Sequence, residues 1–133
     1  MKANELMIGN YVNYEQTTHV IRTILNGVTT SHWLNDKNDV YTHPTNDIKP
    51  IPLTEEWLIK LGFEKIPHKD QYAKDKLVFG TDFIQLNKFG QVWDVYTFTE
   101  NVLNHITSTV NPIKHVHQLQ NLYHALTGQH LTQ

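Results

Sequence analysis

The sequence predicts an α+β protein with antiparallel strands, and three local patterns carry that prediction. Short runs rich in β-branched and aromatic residues, separated by turn residues, occupy residues 8–52 and recur over 71–98. A capped helix signal begins at Thr54, and an amphipathic pattern runs through the C-terminal segment. Groups of strands interrupted by single helices are typical of α+β folds.

Residues 1–53 predict a small curled sheet or SH3-like barrel. Three strands are expected, at 8–14, 18–25 and 28–34. Asn26-Gly27 between the last two is a type I′ hairpin signal. The polar residues 35–39 are expected to form a loop. Ile48 to Leu53 contains two prolines, which donate no hydrogen bond, so this segment is expected at an edge or as a closing strand.

Residues 54–133 are expected to share a core with the first part and to form one compact unit with it. Thr54 to Gly62 predicts a short helix, with Thr54 as the N-cap and Gly62 as the stop. Four further strands are expected, at 72–79, 83–89, 92–98 and 106–113. Residues 99–104 have an ambiguous pattern and are interpreted as a loop. The C-terminal helix, from about His115 to Thr127, presents an apolar stripe expected to pack on the sheet: Val116, Leu119, Leu122, Tyr123 and Leu126.

Composition excludes several functional classes. The 133 residues contain no cysteine, which rules out disulfides, Cys-zinc sites and thiol nucleophiles. The net charge is −2 with histidine neutral, and Arg22 is the single arginine, so an extended nucleic-acid groove is not expected. There is neither an apolar signal peptide nor a run of roughly 18 apolar residues, and the cytosol is therefore the expected location. No catalytic motif and no phosphate-cradling glycine loop is recognisable.

Histidine is the one enriched ionisable residue type, with nine copies. Five lie in the C-terminal third: His105, His115, His117, His124 and His130. On a helix His117 and His124 are two turns apart, roughly 10 Å, which is too far to share one ion. We therefore expect solvated histidines beside the apolar stripe and no bound metal or cofactor. A metal site, or a buried and hydrogen-bonded His117, are the alternatives.

Two further groups have both a functional and a structural interpretation. The aromatic side chains in the strands could form a platform for a base or peptide, or they could fill the core: Tyr11, Tyr14, Trp33, Trp93 and Tyr96. Asp82 and Asp94 flank a predicted hairpin and could act as paired carboxylates, or they could serve the turn and the surface.

Four segments form a recognisable pattern over residues 8–128: IGNYV at 8–12, PIPLTEEWL at 50–58, LGF at 61–63 and VHQLQNLYxALTG at 116–128, where x is His124. The resemblance that these segments show is to a family of small proteins encoded by Bacteroidetes phages, prophages and related mobile regions. It implies a phage accessory protein that acts in the cytosol of an infected bacterium. It supplies no catalytic residues. His115 and His124 depart from the family pattern, in which aromatic residues are expected there, and this leaves His117 and Gln120 as the polar members of the signature.

The leading hypothesis is a non-enzymatic binding protein that either docks on a host protein or sequesters a small nucleotide signal of antiviral defence. The candidate ligand-binding residues are Tyr11, Tyr14, Trp33, Trp93, His117 and Gln120. One alternative is a metal-dependent hydrolase, in which His105, His115 or His117 would act with Asp82 or Asp94. Another is a virion or assembly component, which predicts a stable oligomer.

Overall fold

The computed structural model describes residues 1–65, 71–75, 83–99, 102–106 and 112–133. The chain divides into two compact units. Unit 1 comprises residues 1–52 with 115–122, and unit 2 comprises residues 53–114 with 123–133. The α+β class is confirmed, since each unit contains an antiparallel sheet and a C-terminal helix is present. That the two parts share one core stays a prediction.

Unit 1 is built on a four-stranded antiparallel sheet in the order β1-β2-β3-β4. Its strands are β1 (Tyr11–Tyr14), β2 (Thr17–Leu25), β3 (Val28–Trp33) and β4 (Asp36–Pro44). Asn26 and Gly27 have φ of +51° and +77°, so the type I′ hairpin prediction is confirmed. β1 and β4 are not paired with each other, and the described residues therefore form no closed barrel. The SH3-like arrangement stays a prediction.

The expected loop at residues 35–39 is wrong, because β4 begins at Asp36. Polar composition suggested a loop, but β4 is an edge strand that pairs with β3, for example Ser31 with Tyr41 and Thr29 with His43. Charged residues on an edge strand discourage pairing with other chains. The polar residues 37–39 are therefore compatible with a strand in this position.

The core of unit 1 lies on one face of this sheet, where Leu6, Val12, Ile21 and Ile48 are buried together. The segment after β4 returns along β1. Asn13 and Lys49 exchange two backbone hydrogen bonds of 2.8 Å each, forming an isolated bridge. The expected edge segment at 48–53 is thus present as two isolated bridges, Lys49 with Asn13 and Pro52 with His115, rather than as a strand.

Helix α2 (Val116–Thr127) confirms the predicted C-terminal helix, and its residues up to Leu122 belong to unit 1. The predicted stripe is only partly correct, since Leu122 and Leu126 are half-buried. Polar side chains take buried positions instead: His117, Gln120 and Thr127. None of the helices in the described residues has the length and hydropathy needed to cross a membrane.

Unit 2 begins with α1 (Glu55–Lys60), which confirms the capped helix prediction. The Trp57 backbone N–H donates to the Thr54 hydroxyl at 3.3 Å, and Gly62 ends the helix with φ of +89°. Leu58 and Leu61 are fully buried. A helix this short depends on such packing, because six residues cannot sustain a helix alone.

The sheet of unit 2 has five antiparallel strands in sequence order. They are β5 (Glu64–Lys65), β6 (Gln71–Asp75), β7 (Phe83–Phe89), β8 (Val92–Thr99) and β9 (Val102–His105). The loop interpretation of 99–104 is wrong, because β9 pairs with β8 along that segment. The parts of predicted strands at 76–79 and 107–111 lie outside the described residues. Ile113 pairs with Trp93 across an isolated bridge.

Candidate functional site

The six candidate ligand-binding residues lie in four different settings. Tyr11 and Gln120 form a buried contact, whereas Tyr14 and Trp33 share one face of the β1–β4 sheet. His117 lines a pocket in unit 1, and Trp93 belongs to the core of unit 2. The strand aromatics that were proposed as one platform therefore lie in separate structural environments.

Gln120 and Tyr11 have a structural role. The Tyr11 backbone N–H donates to Oε1 of Gln120 at 2.8 Å, and Nε2 of Gln120 donates to the Gly9 carbonyl at 3.3 Å. Both ends of the amide are therefore used to bind the start of β1 to α2. Tyr11 is 4% exposed, so its ring offers no accessible face for stacking.

Trp93 is likewise a core residue. Its side chain is 1% exposed, its ring N–H donates to the Leu53 carbonyl at 3.1 Å, and its ring meets Tyr72 edge-on at 5.3 Å. A buried tryptophan with a satisfied N–H is the usual core arrangement. The binding prediction for Trp93 therefore has no exposed ring to support it.

His117 is buried, in contrast to the expected solvated histidines. Its side chain is 3% exposed, and its Nδ1 has no hydrogen-bond partner among the described residues. Burial, followed by the neighbouring His115, lowers the pKa of His117 to about 4. His117 is therefore a neutral imidazole at pH 7, because desolvation disfavours its charged form.

His117 lines a pocket of about 470 Å³ in unit 1, which we call the histidine pocket. The described residues around it are Met1, Glu5, Pro50, His115, His117, Gln118 and Asn121. This volume lies within the range of small-molecule sites, about 300–1,000 Å³. The rings of His115 and His117 are nearly parallel, with centroids 5.8 Å apart.

Local hydrogen bonds hold the walls of this pocket. The His115 backbone N–H donates to Oε1 of Gln118 at 3.0 Å, a capping contact over the first turn of α2. Asn121 accepts from Nδ2 of Asn10 at 2.8 Å and donates to the Glu5 carbonyl at 3.0 Å. The pocket is therefore largely preformed, which lowers the entropic cost of binding.

Five rings on the core-facing side of the β1–β4 sheet form a second constellation, the aromatic face: Tyr14, His19, Trp33, Tyr41 and His43. Tyr14 stacks on His43 at 4.0 Å, and Trp33 stacks on Tyr41 at 5.7 Å with 14° between their planes. His19 meets both tyrosines edge-on, at 5.5 and 5.4 Å. Trp33 is 42% exposed, and the two tyrosines are half-buried.

A hydrogen-bonded chain lies beneath these rings. Ser31 Oγ is 2.8 Å from Nδ1 of His19 and 2.9 Å from Nε2 of His43. Its single proton can be donated to one ring while it accepts from the other ring's N–H. Burial is the main cause that lowers the pKa of both histidines. Ser31 is fully buried, so a substrate cannot reach it as a nucleophile.

Sequence reasoning missed His19, Tyr41 and His43, and the reason lies in strand register. The Asn26-Gly27 turn alone would place His19 on the opposite face from Ser31 and Trp33. A bulge at Arg22 shifts the pairing, so that Ile21 faces Ser31 and His19 faces Trp33. Alternation within β3 and β4 was the available signal, since Ser31 and Trp33, like Tyr41 and His43, are two residues apart.

Unit 2 brings together two residues of the hydrolase hypothesis. Nε2 of His105 lies 3.6 Å from Oδ1 of the buried Asp94, and Tyr96 stacks on the His105 ring at 4.5 Å. A carboxylate can orient an imidazole for proton transfer. Asp82 lies outside the described residues. Within the described ranges there is no group of three or more His, Cys, Asp or Glu residues placed to hold a metal ion.

No protein-family model matches the sequence, and no curated protein or solved structure is significantly similar to it.

Proposed function

We propose that this chain is a non-enzymatic binding protein that takes a small molecule in the histidine pocket. The observation that carries the proposal is the buried His117 ring, which lines the pocket and leaves Nδ1 without a hydrogen bond in the described structure. Such an unpaired buried polar atom costs about 1–3 kcal/mol, and few occur in folded proteins. Because Nδ1 is itself buried, a ligand whose entry moves the pocket wall and that donates a hydrogen bond to this atom would recover that free energy.

The charges of the pocket indicate the chemistry of the ligand. Besides its two histidines, the described lining residues bring one carboxylate, Glu5, and the ammonium group of Met1, which donates to the Ile48 carbonyl at 3.1 Å. A neutral imidazole, a carboxylate and an ammonium group together favour a ligand without net charge that offers both hydrogen-bond donors and acceptors. A nucleobase or an amide-bearing metabolite meets this requirement. A nucleotide would have to keep its phosphates away from Glu5.

The proposed setting is the cytoplasm of an infected bacterium, with the chain as a phage accessory protein. The support for this setting is the resemblance of the segments at 8–12, 50–58, 61–63 and 116–128 to small phage and prophage proteins. The proposed small-molecule role corresponds to one version of the hypothesis drawn from the sequence, in which the chain sequesters a small nucleotide signal. Docking on a host protein is the other version, and it concerns a different surface.

Native mass spectrometry of the purified protein tests the proposal. We expect a fraction of the wild-type chain to carry one small molecule, released on denaturation and identified from its mass. His117→Gln should weaken the affinity at least about ten-fold, the effect of roughly 1.4 kcal/mol, and should therefore carry less ligand than wild type. His124→Gln is the matched control, because it alters a half-buried histidine of the same helix that does not line the pocket.

A ligand-free wild-type chain that also shows no thermal shift with a panel of nucleosides, nucleotides and amino-acid amides would contradict the proposal. Equal occupancy in wild type and His117→Gln would contradict the assignment to this pocket.

The contact between His105 and Asp94 supports a second candidate, a hydrolase centred in unit 2. It requires general-base action by His105, with or without a metal ion. Elemental analysis of the purified protein, together with a hydrolase substrate panel for wild type and His105→Gln, separates it from a binding protein. Activity that disappears in the variant would establish the enzyme.

A further inference from the structure

We propose that the aromatic face of unit 1 is a docking surface for an arginine side chain of a partner protein. This inference is independent of the ligand in the histidine pocket, since the two sites share no described residue. It concerns the exposed ring of Trp33, its stacking partner Tyr41, and Tyr14, which like Tyr41 meets the ring of His19.

The geometry favours a planar cation. Trp33 and Tyr41 lie within 14° of parallel, and Tyr14 and His43 lie within 20°. Both pairs are therefore layers rather than the walls of a cage, whereas a compact methylammonium group is typically surrounded by several ring faces. A guanidinium is planar and stacks on aromatic faces. The 42% exposure of Trp33 leaves indole surface available for that contact.

Charge complementarity supports the same occupant. Glu15 and Asp47 are the charged side chains that raise the pKa of Tyr14, after burial, and both also favour the protonated form of His43. Glu15 acts in the same direction on His19. The carboxylates of Glu15 and Asp47 therefore make the electrostatic potential near Tyr14 more negative. The two histidines are neutral at pH 7 because burial lowers their pKa, so they do not repel a cation.

The position on the sheet suits a side chain presented by another protein. Trp33 ends β3 beside β4, an edge strand of the described sheet, and the residue is 42% exposed. An exposed aromatic side chain at the edge of a sheet is a feature of protein-binding surfaces. Arginine is also enriched among interface residues. We therefore assign the cation to a peptide segment rather than to a free metabolite.

The test compares fluorescently labelled peptides of arginine–glycine repeats with matched citrulline–glycine and lysine–glycine peptides. Citrulline keeps the planar shape and removes the charge, whereas lysine keeps the charge and removes the planarity. We expect the arginine peptide to bind best. Trp33→Ala should weaken it about five- to ten-fold, while Phe89→Ala, which removes an aromatic ring that is 73% exposed in unit 2, should leave binding unchanged.

The carboxylates are tested by Glu15→Gln combined with Asp47→Asn, against Glu56→Gln combined with Glu64→Gln as a control of equal charge change. Only the first pair should weaken binding, by about two- to five-fold, and it should reduce the salt dependence. In wild type the arginine peptide should shift the indole N–H resonance of Trp33 and leave those of Trp57 and Trp93 in place. Equal binding of the citrulline or lysine peptide, or an unmoved Trp33 resonance, would overturn the proposal.

Discussion

His117 in unit 1 is 3% exposed, whereas the His105 side chain in unit 2 is 38% exposed and lies beside a carboxylate. His19 and His43 of unit 1 are each 2% exposed. At these positions histidine is therefore a buried, neutral residue in unit 1 and a solvent-exposed residue in unit 2. The difference shows that position in the fold, rather than histidine content, decides the surroundings of each ring. The histidines of the described residues therefore form no single structural class.

Acidification should have the largest effect on this contrast. Burial lowers the folded pKa of His117 to about 4, while the unfolded value is about 6.5, so the unfolded chain binds more protons between these values. Above about pH 6.5, His117 is neutral in both the folded and the unfolded state and does not lower the unfolding free energy. As the pH falls from about 6.5 toward 4, the unfolded state gains a proton that the folded state does not, so the unfolding free energy decreases. At pH 4.5 this loss amounts to about 2–3 kcal/mol. His19 and His43 add losses of the same sign, since burial lowers their pKa as well.

Urea unfolding at pH 7.5, 5.5 and 4.5 measures this loss. His117→Gln should have a shallower decline than wild type, because glutamine does not titrate. The carboxylates are common to both proteins and cancel in the difference. Identical slopes for the two proteins would mean that His117 is solvated, and the contrast between the units would fail.

Removing the hydroxyl between His19 and His43 should have an intermediate effect. Ser31→Ala leaves two buried ring nitrogens without their partner, which costs about 1–3 kcal/mol in unfolding free energy. Thr30→Ala is the matched control on the same strand, because it removes a hydroxyl pair with Thr23 that is solvent-exposed. Denaturation midpoints at pH 7.5 compare the two. Similar losses for both variants would show that the buried hydrogen bonds of Ser31 to His19 and His43 stabilise the fold no more than the exposed hydroxyl pair does.

The smallest effect is expected in unit 2. The contact between His105 and Asp94 is 3.6 Å long, and the histidine is exposed to solvent, so His105→Gln should change the unfolding free energy by less than about 1 kcal/mol. Thermal melting at low and high salt measures the change. A loss as large as that of Ser31→Ala would show that the pair is a structural element of unit 2, and the two units would then be alike.

Local signals account for the elements that were predicted correctly. Thr54 and Gly62 mark the ends of α1 through a cap and a positive φ, both of which depend on a few neighbouring residues. Asn26-Gly27 forms the hairpin for the same reason, because only small or amide residues adopt φ above zero readily. Helical periodicity was enough to place α2, although not to orient it.

Long-range pairing accounts for the errors. The polar segment at 35–39 is a strand because β3 lies beside it, and residues 102–105 are a strand because β8 does. Leu122 was expected in the core but is half-buried, while the polar Gln120 is buried because two backbone groups at the start of β1 satisfy its amide. Periodicity counts apolar residues and cannot anticipate a polar side chain that finds its partners about 110 residues away.

The sequence by itself determined the α+β class, both α-helices and the Asn26-Gly27 hairpin, because each depends on backbone preferences of adjacent residues. It also singled out His117, Tyr14 and Trp33 as candidates. Tertiary structure alone decided what surrounds them. The bulge at Arg22 turns His19 toward Ser31, and burial makes His117 neutral inside a pocket. Register and desolvation depend on contacts between distant segments, and no local pattern encodes them.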